Sequence, residues 1–113
     1  MSQRQQRRRE SEHGLEIDAA LALLGDDYAQ EILAVLIEDP ATAKELTERC
    51  PGSRVTIYRR LNRLEEAGLV ETEIRIRSDG NHCERYRLAV DEITVSITEE
   101  GFEAELRPSS DGE

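Results

Sequence analysis

The chain has 113 residues, of which 37% are apolar and 4% aromatic, and a formal charge of −10. That length suits a single domain with one modest core built from Leu, Ile, Val and Ala, and no apolar run nears the roughly 18 residues that a membrane span needs. Two cysteines, Cys50 and Cys83, cannot supply a disulfide framework, and the N-terminus lacks the apolar stretch of a signal peptide, so a cytoplasmic location is expected.

Residues 1–14 are polar, without periodicity, and read as a disordered arm. Arg4, Arg7, Arg8 and Arg9 cluster there; they can touch phosphate or enter a minor groove, or form a solvated tail. Leu15 to Gly25 has the spacing of a short amphipathic helix, with Ile17, Ala20, Leu21 and Leu24 on one face. Asp26 or Asp27 can cap a second helix running to Glu38, with Tyr28, Ile32, Leu33, Leu36 and Ile37 as its apolar stripe, and Asp39-Pro40 stops it. Thr42 opens a third helix with a capping box to Glu45, and Ala43, Leu46 and Cys50 face inward.

Pro51-Gly52 then makes a turn, and Ser53 to Ala67 reads as a longer helix. Ser53 is the N-cap and Gly68 the stop. Ile57, Leu61 and Leu64 form the apolar seam. Thr56, Arg59 and Arg63 lie roughly opposite, flanked by Arg60. The acids Glu65 and Glu66 wait until the last turn, which does not favour the helix dipole. A helix built to present Arg to a polyanion accounts for the pattern. A short helix, a tight turn and an Arg-faced helix make a helix-turn-helix, whose second helix enters the major groove.

After Gly68 the period becomes two. Val70, Thr72, Ile74 and Ile76 point one way, and Glu71, Glu73, Arg75 and Arg77 the other. Ser78-Asp79-Gly80-Asn81 is a hairpin turn, and His82 to Leu88 returns with Tyr86 and Leu88 inward and Arg85 and Arg87 outward. Such a hairpin, over residues 70–88, has the form of a wing lying along the DNA backbone. Arg pairing with Glu73 and Glu84 across the strands is compatible with that role. Ile93, Val95 and Ile97, then Phe102, Ala104 and Leu106, alternate around Glu99-Glu100-Gly101 and predict a second hairpin over residues 91–107. A helix from Glu99 to Arg107 is the rival reading. The second hairpin is expected to pack on the body or on a partner subunit, and residues 108–113 to form a frayed tail.

Charge is unevenly spread. Residues 53–87 carry eight Arg against six acids, residues 15–52 nine acids against Lys44 and Arg49, and residues 88–113 eight acids against Arg107. With one Lys to fourteen Arg and many Asp and Glu, the composition resembles proteins of halophilic archaea. In molar salt the screening length falls to about 3 Å, so distant acids do not prevent close contacts with DNA.

Several segments together resemble a winged helix-turn-helix transcriptional regulator of the broad ArsR-like group. They are Leu23-Leu24-Gly25-Asp26, Ala43-Lys44-Glu45-Leu46, Ser53 to Leu61, Leu64-Glu65-Glu66-Ala67-Gly68-Leu69-Val70 and Arg85-Tyr86-Arg87-Leu88. The resemblance covers about seventy residues, 18 to 88, and implies an α+β fold of about four helices and a wing within residues 15–90. It implies a homodimer on a short, roughly palindromic operator in double-stranded DNA, with the recognition helix, 53–67, in the major groove. Base contacts are expected from Arg54, Val55, Thr56, Arg59, Arg60 and Arg63. Phosphate contacts are expected from Ser53, Tyr58, Arg75, Arg77, Asn81, His82 and Arg85. The Cys-x-Cys pair of the metal-sensing members is missing, and many relatives end in a long dimerising helix where strands are expected here, so neither effector nor dimer interface carries over.

No cofactor or metal is expected. His82-Cys83 is an adjacent pair rather than a ligand spacing, and Cys50 ends a different element, so both cysteines read as ordinary buried or edge residues. Enzyme chemistry finds no foothold: there is no Gly-rich phosphate loop and no nucleophile beside a base. The alternative is a winged helix that binds another protein through its Arg face.

Overall fold

The computed structural model describes residues 17–109; the basic arm expected over residues 1–14 lies outside them. Among the described residues there are four helices, α1 (Ile17–Leu24), α2 (Asp27–Glu38), α3 (Ala43–Arg49) and α4 (Arg54–Glu66). Two antiparallel hairpins follow, β1 (Val70–Ile76) with β2 (His82–Leu88) and β3 (Val90–Thr98) with β4 (Gly101–Pro108). This is an α+β winged helix-turn-helix with an added C-terminal hairpin.

Local chemistry sets each boundary. The Asp26 carboxylate accepts from Ala29 N at 2.8 Å and starts α2. At α3, Thr42 Oγ1 accepts from Glu45 N at 3.1 Å while Thr42 N donates to Glu45 Oε1 at 2.9 Å, a closed capping box. Ser53 Oγ accepts from Thr56 N at 3.1 Å at the head of α4. At its end Gly68 takes φ +85°, its N–H donates to Glu65 O and the Leu69 N–H donates to Leu64 O, both at 3.0 Å. That is a Schellman cap, sealed by the buried Leu64 and Leu69.

Ile32, Leu46, Ile57, Leu61, Leu64, Leu69 and Val70 are the largest fully buried side chains, so the core lies where α2, α3 and α4 meet the first residue of the wing. Two stripes differ from the periodic reading. In α1 the buried face is Ala20 and Leu23, with Leu21 and Leu24 half-buried at its margins. In α2 it is Ala29, Ile32 and Leu36, while Tyr28 and Ile37 are exposed. A stripe about 100° wide holds fewer residues than a sequence can nominate, and the crossing with α4 selects the middle of each.

The wing pairs Val70↔Leu88 through Ile76↔His82. Ala41 adds a third, one-residue strand: its N–H donates to Tyr86 O at 3.0 Å and its carbonyl accepts from Tyr86 N at 2.7 Å. The inner face is covered only near its root. Val70 is buried and Thr72 half-buried, but Ile74 and Ile76 are 64% and 72% exposed, because the helical body ends before the tip. The last element is a hairpin and not a helix, turning on Glu99-Glu100 with Gly101 at φ +117°.

Candidate nucleic-acid interface

The α3–turn–α4 unit rests on the turn Cys50 to Ser53. Gly52 sits at φ +108°, and a Cβ there would lie 2.8 Å from the Tyr28 ring, so the turn packs flat against the start of α2. Arg60 reinforces the same joint. Its Nε and Nη2 donate to the Asp26 Oδ2 and Oδ1 at 2.9 and 3.1 Å, and its guanidinium lies 5.5 Å from the Tyr28 ring centroid. The fork of Arg60 holds the Asp26 carboxyl below its ordinary range, with help from the Ala29 N–H, and the same bond raises Arg60 above its own.

The four arginines of α4 therefore divide. Arg60 is half-buried and engaged by Asp26, not presented outward with the others. Arg54, Arg59 and Arg63 are exposed, and none makes an ion pair among the described residues. Val55 is exposed beside them, and Tyr58 is partly so. Thr56 is half-buried, its Oγ1 accepting from the Ser53 hydroxyl at 3.0 Å. Asn62, absent from the expected contacts, is exposed and follows Arg59 by three and Val55 by seven, placing it on the same outward stripe. Its helical spacing was the available signal.

The wing has two unlike faces, since residues directly opposite in an antiparallel pair share a face. One carries Val70, Leu88, Thr72 and Tyr86 at the root and Ile74, Glu84, Ile76 and His82 toward the tip. It faces α4: burial raises the Tyr86 phenol, and Glu84, Glu65 and Tyr58 nearby add to the shift. The other carries Glu71 with Arg87, Glu73 with Arg85, and Arg75. It lines a recess of about 490 Å³ with Glu38, Asp39 and Pro40 at the end of α2. Arg85 Nη2 lies 2.6 Å from Glu73 and Arg87 Nη2 3.0 Å from Glu71, while Arg75 is exposed and only loosely near Glu73, at 3.9 Å. Arg85 thus sits behind the wing rather than on the α4 side. Arg77, Asn81 and His82 stand exposed at the tip, and Arg77 makes no ion pair among the described residues.

Cys50 is buried and its thiol is raised, chiefly by desolvation and then by Glu31. Cys83 is half-buried on the wing. Among the described residues no group of three or more His, Cys, Asp or Glu side chains could hold a metal ion, and no helix is long and apolar enough to cross a membrane.

Residues 24–73 match the family model described as a helix-turn-helix domain. The match runs from the end of α1 into β1, leaving the return strand of the wing and the C-terminal hairpin outside it. Match and fold together support a DNA-binding helix-turn-helix regulator. No curated protein matches the chain.

Proposed function

We propose that the protein is a cytoplasmic, sequence-specific regulator of transcription of the ArsR-like type, binding double-stranded DNA as a homodimer. The carrying observation is that Arg54, Arg59 and Arg63 stand exposed and make no ion pair among the described residues, on one helix of a chain whose net charge is −10. Acids are plentiful enough to pair them, yet acidic partners are found instead for Arg60, Arg85 and Arg87.

In this reading α4 enters the major groove. Arg59 and Arg63, one turn apart, can each take guanine O6 and N7 bidentately, Asn62 can take adenine, and Val55 and the Thr56 methyl can meet thymine. Arg54 and the Ser53 and Tyr58 hydroxyls lie at the margin of the groove, next to phosphate. Arg75, Arg77, Asn81 and His82 serve the backbone from the wing. Arg60 contributes by fixing the pitch of α4, and Arg85 joins DNA only by leaving Glu73. The single Lys against fourteen Arg and the excess of acids support work in a salty, haloarchaeal cytoplasm.

The test is selection from random duplex DNA across salt from moderate to molar potassium, with wild type and Arg59→Ala/Arg63→Ala in parallel. Enrichment of one half-palindrome, lost in the variant, is expected; each good base contact discriminates by about 1–3 kcal/mol. No enrichment at any salt overturns the reading and points to a protein partner.

A further inference from the structure

The register of the C-terminal hairpin puts Ile93 opposite Leu106, Val95 opposite Ala104 and Ile97 opposite Phe102, so six apolar side chains share one face. Ile93 and Leu106, with Val90, pack against the core. Cover then runs out: Phe102 is 48% and Ile97 81% exposed. A two-stranded hairpin open on both faces is marginal in water, so this one needs a cover. At its root lies a mainly apolar groove of about 290 Å³ between β3 and the helices, lined by Leu24, Leu33, Ile37 and Ile93 together with the acidic residues Asp91 and Glu92, with Ile37 70% exposed.

We infer that the cover is the hairpin of a second copy, packed face to face and antiparallel, so that each tip of Ile97 and Phe102 reaches the root groove of the other chain beside Ile37. The inference rests on the homodimer reading above and names its interface. Three observations select this occupant. Residues 88–113 carry eight acids against one Arg, which excludes DNA. Glu99 and Glu100 lie on the loop and Glu92, Glu103 and Glu105 on the opposite face, with Glu103 and Glu105 alongside Ser96 and Thr94, so the apolar stripe from Ile93 to Ile97 can meet its own copy without placing a charge between the two stripes. Ile93 both lines the groove and begins the stripe that ends at Ile97, so groove and projection belong to one continuous patch, as an isologous contact requires.

Charge also sets the direction. Eight residues of strand span about 27 Å, so antiparallel packing holds the two Glu99-Glu100 loops many screening lengths apart, at about 3 Å each in molar salt. Parallel packing would set them side by side. The same span separates the two hairpin roots and places the helical bodies at opposite ends, on the scale of the roughly 34 Å between successive major-groove half-sites.

The experiment uses the full chain. Sedimentation equilibrium should give a dimer for wild type and a monomer for Ile97→Asp/Phe102→Asp, with the helical circular dichroism retained. In a Cys83→Ser background, Ile37→Cys/Ile97→Cys should form a covalent dimer under mild oxidation, whereas Ile97→Cys alone should not. The Asp variant should bind a selected palindrome at least about tenfold more weakly, with the affinity of a half-site. A wild type monomeric at all concentrations, a dimer that survives both Asp substitutions, or Ile97→Cys cross-linking as well as the pair, overturns the inference. A monomeric wild type that still selects a DNA site sinks this interface and leaves the DNA reading standing; the dimer described here without any selected site does the reverse.

Discussion

Arg60 and Asp26 are 34 positions apart in sequence, yet the Arg60 Nε lies 2.9 Å from the Asp26 Oδ2. The same carboxylate caps α2. One side chain therefore fixes the start of one helix and the rotation of another. Asp26→Ala removes the cap, at about 1 kcal/mol, and frees Arg60 as well. Thermal unfolding should show a larger loss for Asp26→Ala than for Arg60→Ala, since the latter leaves the cap intact.

The pair also predicts an acid limb. The folded state holds the Asp26 carboxyl below its unfolded value, chiefly through Arg60. Its contribution is complete above the unfolded value of about 4 and is lost as pH falls through the lower folded value. Asp26→Asn should flatten that part of the stability–pH curve as pH falls below the unfolded value of about 4. An unchanged acid limb in chemical denaturation would place its origin in other carboxylates.

Two glycines with positive φ should differ when mutated. At Gly80, φ is +88° and an added Cβ meets nothing within 4 Å, so Gly80→Ala carries only the left-handed strain, about 1–2 kcal/mol. At Gly52 the same strain is joined by a 2.8 Å clash with the Tyr28 ring. Gly52→Ala should be the costlier change, and the excess should shrink in a Tyr28→Ala background, as a double-mutant cycle in denaturant would measure.

Arg77 and Arg85 were equivalent in the sequence and should separate in their salt dependence. Arg77 is exposed and makes no ion pair among the described residues, while Arg85 is half-buried against Glu73. Arg77→Ala should reduce the slope of log K against log salt by about 0.9 without altering the preferred site. Arg85→Ala should leave the slope nearly unchanged and lower stability instead. Equal slopes for the two variants would contradict the division of the wing arginines into those engaged by Glu and those left exposed.

Ala41→Pro tests the third strand. The Ala41 N–H donates to the Tyr86 carbonyl, and proline has no such hydrogen. The loss should cost about 1–3 kcal/mol and raise amide exchange in β2 ahead of α4.

Much of the fold was legible because its signals are local. Ser53, Thr42 with Glu45, Gly68 and the Asp-Gly turn each determine structure within four residues of themselves, and all four are in place. The pairing of Ala41 with Tyr86 and of Asp26 with Arg60 joins distant segments, and no periodicity announces it. Burial was harder still. Ile74 and Ile76 alternate as core residues do, but whether an alternating face is covered depends on how far the neighbouring body extends. At the candidate site the outward face of α4 was readable from 100° spacing, whereas the sorting of its arginines into paired and unpaired depended on the tertiary position of Asp26.

Strand β2 ends at Leu88 and β3 begins at Val90. Both backbone polar groups of the single residue between them, Ala89, are occupied: its N–H donates to Leu69 O and its carbonyl accepts from Ser109 N, each at 2.9 Å. The joint is a splice rather than a tether, with no spare chain to absorb a twist. A torque applied to the C-terminal hairpin is therefore delivered undamped to the base of the wing and to the last turn of α4, so whatever grips the far end of the molecule also holds the handle of its reading head.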